Sequence, residues 1–252
     1  ENLRNMKIFK ENESILREAL KDKLVTTNEA VLSDLPSVIP DSDFEYNTLT
    51  PEQIIELLNL TKDTYLEVAI GLAGILGLRR GEVLGLRYKD IDFENNKINL
   101  RSQFLFEKKQ IIERGLKAGS KRIIIMPQLV IDILIRNKER QDQLKDMLGP
   151  EYEENDIVVT NDKGNMISPS ILSKSFKKLL KDNGFPDMRF HDLRHSANSN
   201  MYTIGVGKEE RKAITGHKTD KMDELYMHLH DNSLRTAAEA INNVYMEFKK
   251  KD

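Results

Sequence analysis

The sequence predicts an α+β protein, mainly helical, in which a short helical segment precedes a larger helical domain with a small antiparallel three-stranded sheet. Three observations lead there. Across residues 1–32, 50–76, 129–148 and from 168 onward, apolar residues recur at the three- and four-residue spacing of one buried helical face. Lys97 to Met126 reads instead as strands, β-branched at Ile123, Ile124 and Ile125. Between Leu35 and Asn47, Pro36, Pro40 and three acids interrupt any period and mark a linker.

In chain order, Ile8, Ile15, Leu16, Ala19, Leu20 and Leu24 place a helix within residues 1–32. That segment is too short to hold a core alone, so a boundary is expected near residue 47, giving units 1–47 and 48–252. Thr50-Pro51-Glu52-Gln53 is a helix start: Thr as N-cap, Pro at the first turn, Gln to close a capping box. Tyr65 to Leu76 is apolar on nearly every side, as a central buried helix would be. Gly77 ends it, Arg79 emerges from that stop, and Glu82 to Leu86 begins another short helix. Three strands are expected at Lys97–Arg101, Phe104–Ile112 and Arg122–Met126, with the Gly115 to Lys121 stretch as a turn. Leu129 to Leu148 is helical, and Ile157 to Thr160 reads as a short strand. Ser168-Pro169 caps a helix ending at Asn183-Gly184. The remainder is helical, broken at Gly205, Gly207 and Gly216. Leu234, Ala237, Ala238, Ile241, Val244 and Phe248 form one stripe on the last helix, suited to its own domain or to a second copy.

Composition narrows the function. The absence of cysteine rules out disulfides, thiolate catalysis and cysteine-based zinc sites. No apolar run approaches the ~20 residues of a membrane helix, so a cytoplasmic protein without membrane contact is expected. The chain opens on Glu rather than Met, as a fragment would. Net charge is −2, from 39 basic and 41 acidic residues. Nucleic-acid binders are usually basic overall, yet distribution matters more than the sum. Basic residues gather at Lys117–Arg122, Lys174–Lys181 and Lys208–Lys221, with acids elsewhere.

The stretch from Arg189 to Tyr226 carries the chemistry. His191 and Arg194, at i and i+3, share one helical face and could grip one anion. Thr215-Gly216-His217 follows, and Tyr226 lies nine residues beyond that histidine. Metal-free attack on a phosphodiester needs donors for the charge gathering on the equatorial oxygens, best supplied by guanidinium forks. It also needs a nucleophile and a proton for the departing oxygen. Arg79, Arg194, His191, His217, Lys117 and Tyr226 offer that set. Each alone also fits a plain role: a surface arginine, a turn lysine, a packing imidazole, one tyrosine of seven. His228 and His230 on one helix splay apart, and no metal or other cofactor is expected.

Five segments together resemble the catalytic domain of the tyrosine recombinases, the family of phage and conjugative-transposon integrases. Gly77-Leu78-Arg79-Arg80-Gly81-Glu82 resembles the first arginine box, and Lys117-Ala118-Gly119-Ser120-Lys121-Arg122 the lysine hairpin. His191-Asp192-Leu193-Arg194-His195-Ser196 matches the second arginine box, Thr215-Gly216-His217 the third, and Tyr226-Met227-His228 the nucleophile. Ala118 departs from the usual Thr or Gly, so Lys121 stays open beside Lys117. Met222-Asp223 replaces the usual Thr pair.

The resemblance implies a site-specific recombinase that cleaves and rejoins double-stranded DNA through a 3′-phosphotyrosyl link, needing neither ATP nor metal. Tyr226 would be the nucleophile and Lys117 the general acid. Arg79, Arg194 and His217 would hold the phosphoryl oxygens, and His191 would contact the phosphate or take the tyrosine proton. Residues 1–47 would then end a core-binding domain and supply a linker. A homo-tetramer on two duplexes, contacts through the C-terminal helix, and accessory directionality or DNA-bending proteins are implied as well. A catalytically inactive DNA-binding regulator and a type IB topoisomerase-like or hairpin-forming transesterase share these motifs and stand as alternatives.

Overall fold

The computed structural model describes residues 15–16, 18–26, 47–107, 110–115, 122–216 and 231–249. The chain divides into two units, Glu1–Glu45 and Tyr46–Asp252. In the first, residues 15–16 and 18–21 are helical. Residues 22–26 are turn and bend where the sequence predicted helix throughout 1–32, and residues 1–14, 17 and 27–32 lie outside the described residues. Lys23 turns the backbone at φ +57, and the Leu24 N–H donates to the Ala19 carbonyl at 2.9 Å. That bond satisfies a helix-end carbonyl without the glycine that would have flagged the stop.

The second unit begins as its caps dictate. In α1 (Pro51–Leu60) the Gln53 N–H donates to Thr50 Oγ1 at 3.3 Å, and the Thr50 N–H donates to Gln53 Oε1 at 3.0 Å. Ile54, Ile55, Leu57 and Leu58 are buried. Helix α2 (Tyr65–Gly74) is buried from Glu67 to Gly74, in keeping with its apolar residues on every side. Its one buried acid, Glu67, accepts from the Asp63 N–H at 2.9 Å and from Arg136. After Gly77 comes α3 (Arg80–Gly85), then a 3₁₀ turn at Tyr88–Asp90.

Five strands follow: β1 (Ile91–Asp92), β2 (Lys97–Leu100), β3 (Ser102–Glu107), β4 (Gln110–Gly115) and β5 (Arg122–Ile125). The antiparallel three-stranded sheet is there, in the order β1-β2-β5, with Asn99 opposite Ile123 and Leu100 opposite Arg122. Its third member is β1, not the predicted strand over Phe104–Ile112. That segment is instead a separate β3-β4 ladder, paired from Ser102–Gly115 to Glu107–Gln110. No Gly, Pro, Asn or Asp lies between Glu107 and Gln110, so the reversal carries none of the usual turn chemistry. Gly115, predicted to open a turn, closes β4; residues 116–121 lie outside the described residues. Strand β3 runs beside α3.

Helix α4 (Gln128–Leu148) leaves β5, and its buried Asn137 and Gln141 donate to the Val158 carbonyl at 2.8 and 3.1 Å. Those bonds hold Ile157–Thr160 by side chains, so the predicted strand there amounts to isolated bridges. Ser168 caps α5 (Pro169–Asp182), accepting from the Ile171 N–H at 3.2 Å. Then come α6 (Asp192–Thr203), α7 (Lys208–Thr215) and α8 (Asp231–Lys249).

The core gathers around α2, against which α1, α4 and α6 pack. Helix α8 packs on α1, α4 and β5 of its own unit. Leu234, Ala237, Ala238, Ile241 and Tyr245 are its buried face, Tyr245 taking the place predicted for Val244. The Tyr245 hydroxyl donates to the Gly74 carbonyl at 3.2 Å, and Asn242 Oδ1 accepts from the Leu129 N–H at 3.0 Å. Among the described residues, no helix is long and apolar enough to cross a membrane.

Candidate active site

Three local structures deliver the site. Gly77 ends α2 at φ +69, and a Cβ there would sit 2.9 Å from Thr215 Cγ2. Only glycine combines that backbone with so close an approach. The turn throws Arg79 into the N-cap position of α3. Its own N–H donates to Glu82 Oε2 at 2.9 Å, its Nη1 to Glu82 Oε1 at 2.9 Å, and its Nη2 to the Gly216 carbonyl. About a third of the Arg79 side chain, 33%, is exposed.

Arg194 reaches the same place from α6. It is 3% exposed, and its Nη1 donates to the Gly77 carbonyl at 2.6 Å and to the Thr215 carbonyl. The two arginines therefore fasten on consecutive carbonyls, Thr215 and Gly216, at the end of α7. Gly216 closes that helix in the left-handed region, φ +71. His217 is the next residue in the sequence.

His191 stands at the N-cap of α6 with its surface exposed. Its ring meets that of His195 edge-on, centroids 5.9 Å apart. Partial burial lowers its pKa from the usual histidine value, and the neighbouring Arg194 charge lowers it further. That shift favours the uncharged imidazole, the form that can accept a proton. Arg79 and His191 line one open cavity of about 360 Å³, together with Arg80, Ser173, Lys177 and Arg189. Asp192, read from the sequence as a packing acid, accepts from Arg189 N at 2.8 Å and from its Nη2 at 2.7 Å.

Of the six predicted residues, Arg79, His191 and Arg194 are thus brought to neighbouring positions. Lys117, with its rival Lys121, and His217 and Tyr226 lie outside the described residues. Among the described residues, no His, Asp and Glu cluster is arranged to hold a metal ion.

Sequence reasoning missed the carboxylate that organises the cations. Glu82 is fully buried and accepts Arg122 in a two-point fork, both N–O distances 2.8 Å. The signal was present: Glu82 follows Arg79 by three residues, the spacing at which an acid reaches back to an N-cap N–H. Burial alone would raise its pKa. The Arg122 hydrogen bonds and charge, joined by those of Arg79, outweigh burial and lower it from 4.5 to about 2.

That depression has a testable consequence. Below pH 4.5 the unfolded chain protonates this carboxyl while the folded chain does not. The unfolded state then binds more protons, and stability falls with pH down towards about 2. In Glu82→Gln that part of the acid sensitivity should be missing when urea midpoints are followed through the same window. Equal losses in both chains would mean that the carboxyl is not held ionised.

The sequence model described as the phage integrase family matches residues 47–233. A tyrosine recombinase XerC-like protein of Caldanaerobacter subterraneus subsp. tengcongensis is 30% identical over 218 residues, covering 80% of this chain and 55% of that protein. The integrase of Mycobacterium phage D29 is 28% identical over 216 residues, covering 84% of this chain and 55% of its own. The chain thus spans about half the length of the curated relatives it matches. In fold it resembles the Tn1549 transposon integrase, solved in complex with a circular intermediate DNA. That likeness has a TM-score of 0.63 at 20% identity, over 89% of this chain and 74% of the other.

Proposed function

Because the chain belongs to the phage integrase family, we propose that it is the catalytic part of a site-specific tyrosine recombinase acting on double-stranded DNA. One observation carries the reading. Two guanidinium groups from distant segments are anchored on adjacent carbonyls, Arg194 on Thr215 and Arg79 on Gly216, at the threshold of His217. Preorganised forks fixed by backbone spend no reorganisation when charge develops on the phosphoryl oxygens.

In the proposed reaction Tyr226 Oη attacks the scissile phosphorus, losing its proton to His191 or solvent. The bond to the 5′-oxygen breaks, and Lys117 protonates that oxygen as it leaves. A 3′-phosphotyrosyl link and a free 5′-hydroxyl result. Arg79, Arg194 and His217 hold the non-bridging oxygens throughout. One ester replaces another, so the reverse step rejoins strands without ATP.

Residues 1–47 are read as the end of a core-binding domain with its linker, and 48–252 as the catalytic domain. The open cavity between α3 and α5 supports a DNA-facing role for α5, since Arg80 and Lys177 flank Arg79 there. Four copies on two duplexes, contacts between them through the C-terminal helix, accessory directionality or DNA-bending proteins and a nucleoid location complete the proposal.

The test uses a duplex recovered from a randomised pool by retention on the protein, nicked just past the cleavage position so that the short fragment bearing the free 5′-hydroxyl escapes. In EDTA the chain is expected to attach covalently to this DNA and to survive SDS. Tyr226→Phe should bind equally and attach none. Attachment by the phenylalanine chain would assign the nucleophile elsewhere, and loss of attachment in EDTA would overturn the metal-free reaction.

A further inference from the structure

Arg122 is not among the residues assigned a chemical part above, yet its guanidinium is among the most constrained in the described chain. It projects from β5, five positions beyond Lys117, and its side chain is 0% exposed. Every nitrogen is engaged: Nε donates to the Ile214 carbonyl at 2.9 Å, and Nη1 and Nη2 donate to the two oxygens of Glu82 at 2.8 Å each. Gly216 lies directly over the group. A Cβ at that position would stand 2.6 Å from Nη1 and 2.8 Å from Cζ.

Glu82 is shared. The oxygen that accepts Arg122 Nη1 also accepts Arg79 Nη1, and the other accepts the Arg79 N–H. One carboxylate and one guanidinium therefore bind together β5, the Arg79 turn and the Ile214–Gly216 end of α7. Arg79 lies in the second of these segments, His217 is the next residue after the third, and Lys117 stands five positions before the first in the sequence.

Stability alone is a poor account of this arrangement. A buried ion pair replaced by well-packed apolar side chains is commonly neutral or stabilising. What apolar residues cannot supply is direction. A planar fork fixes the carboxylate plane, and the carboxylate in turn fixes where Arg79 can point. We infer that Arg122 is a positioning residue for the proposed transesterification, setting the aim of Arg79 through Glu82 and the height of the turn before His217 through Ile214 and Gly216.

This inference rests on the recombinase reading, and the experiment separates the two. Arg122→Lys keeps the charge and loses the fork. The unaltered chain and the variant are compared on the nicked duplex, at saturating protein and at a temperature where urea titration shows both folded. DNA affinity is measured on the same duplex. The expected result is unchanged affinity with an attachment rate lowered about 100-fold, the scale of an ångström-sized misplacement. Glu82→Gln, which keeps the shape and weakens both charged contacts, should also slow attachment at unchanged affinity and serves should Arg122→Lys fail to fold.

A merely structural Arg122 would lower the urea midpoint and leave the rate per folded molecule intact. Attachment at the unaltered rate in both variants would overturn the positioning role while leaving the recombinase reading standing. Failure of the unaltered chain to attach would instead sink the reading on which the inference rests.

Discussion

Replacing Arg194 by lysine is expected to lower the rate of covalent attachment to DNA by about 100- to 1,000-fold, the usual loss when one preorganised donor is removed from a developing oxyanion. Charge is retained in that substitution, so the effect isolates geometry. Nη1 of Arg194 serves the Gly77 and Thr215 carbonyls at once, leaving the rest of the planar group aimed by that anchorage. An ammonium has three donors around a point and no plane to be aimed. It can hold one of those carbonyls or approach the phosphate, but not both. Loss of a partner at a buried carbonyl should also cost about 1–3 kcal/mol, visible as a lower urea midpoint. Attachment near the rate of the unaltered chain would remove Arg194 from the phosphate and leave it a structural tether.

Gly216→Ala should be among the most damaging single-methyl changes in the unit. Two costs coincide there. The backbone sits at φ +71, disfavoured for any residue with a Cβ. The new carbon would also meet Nη1, Cζ and Nε of Arg122 at 2.6–3.1 Å, a group that Glu82 and Ile214 hold on its other sides. An arginine tip on the surface would swing away; this one has nowhere to go. Gly205 supplies the comparison, since its φ is +82 and nothing lies within 4 Å of a Cβ added to it. Gly205→Ala is thus expected to cost about 1 kcal/mol for backbone alone. Gly216→Ala should cost about 2–4 kcal/mol, adding a forced displacement in a packed interior. It should slow attachment too, because the Gly216 carbonyl is where Arg79 is tied. Equal losses of stability at the two glycines would mean that Arg122 does not lie beneath Gly216.

Much of this site was legible because its signals are local. The capping box of Thr50 and Gln53, the all-round burial of α2 and the cap at Ser168 each depend on residues within one turn. They read correctly from the chain alone. The emergence of Arg79 after a glycine stop belongs to the same class. So does the presence of His191 and Arg194 at the start of one helix, although burial and backbone hydrogen bonds separate their duties: Arg194 goes inside and His191 stays at the surface.

The β-hairpin and the last helix show where local signals fail. The strands β3 and β4 turn back on each other with no turn residue between them, so a reader of propensities sees one strand. On α8 the stripe was visible, but its destination was not. Tyr245 rather than Val244 faces inward because Asn200 and the Gly74 carbonyl offer its hydroxyl partners and burial leaves it no water. That choice depends on what stands opposite, not on spacing along the helix.

Residue order alone thus established which chemical groups the chain brings and which short elements carry them, since caps, periods and motifs act over a few positions. It could not show that Arg79 hangs from a carbonyl 137 residues away, that Arg194 reaches back 117, or that Arg122 meets Glu82 across 40. Such bonds follow from which helix ends the packed core sets side by side, and a chain written in one dimension holds no local trace of them.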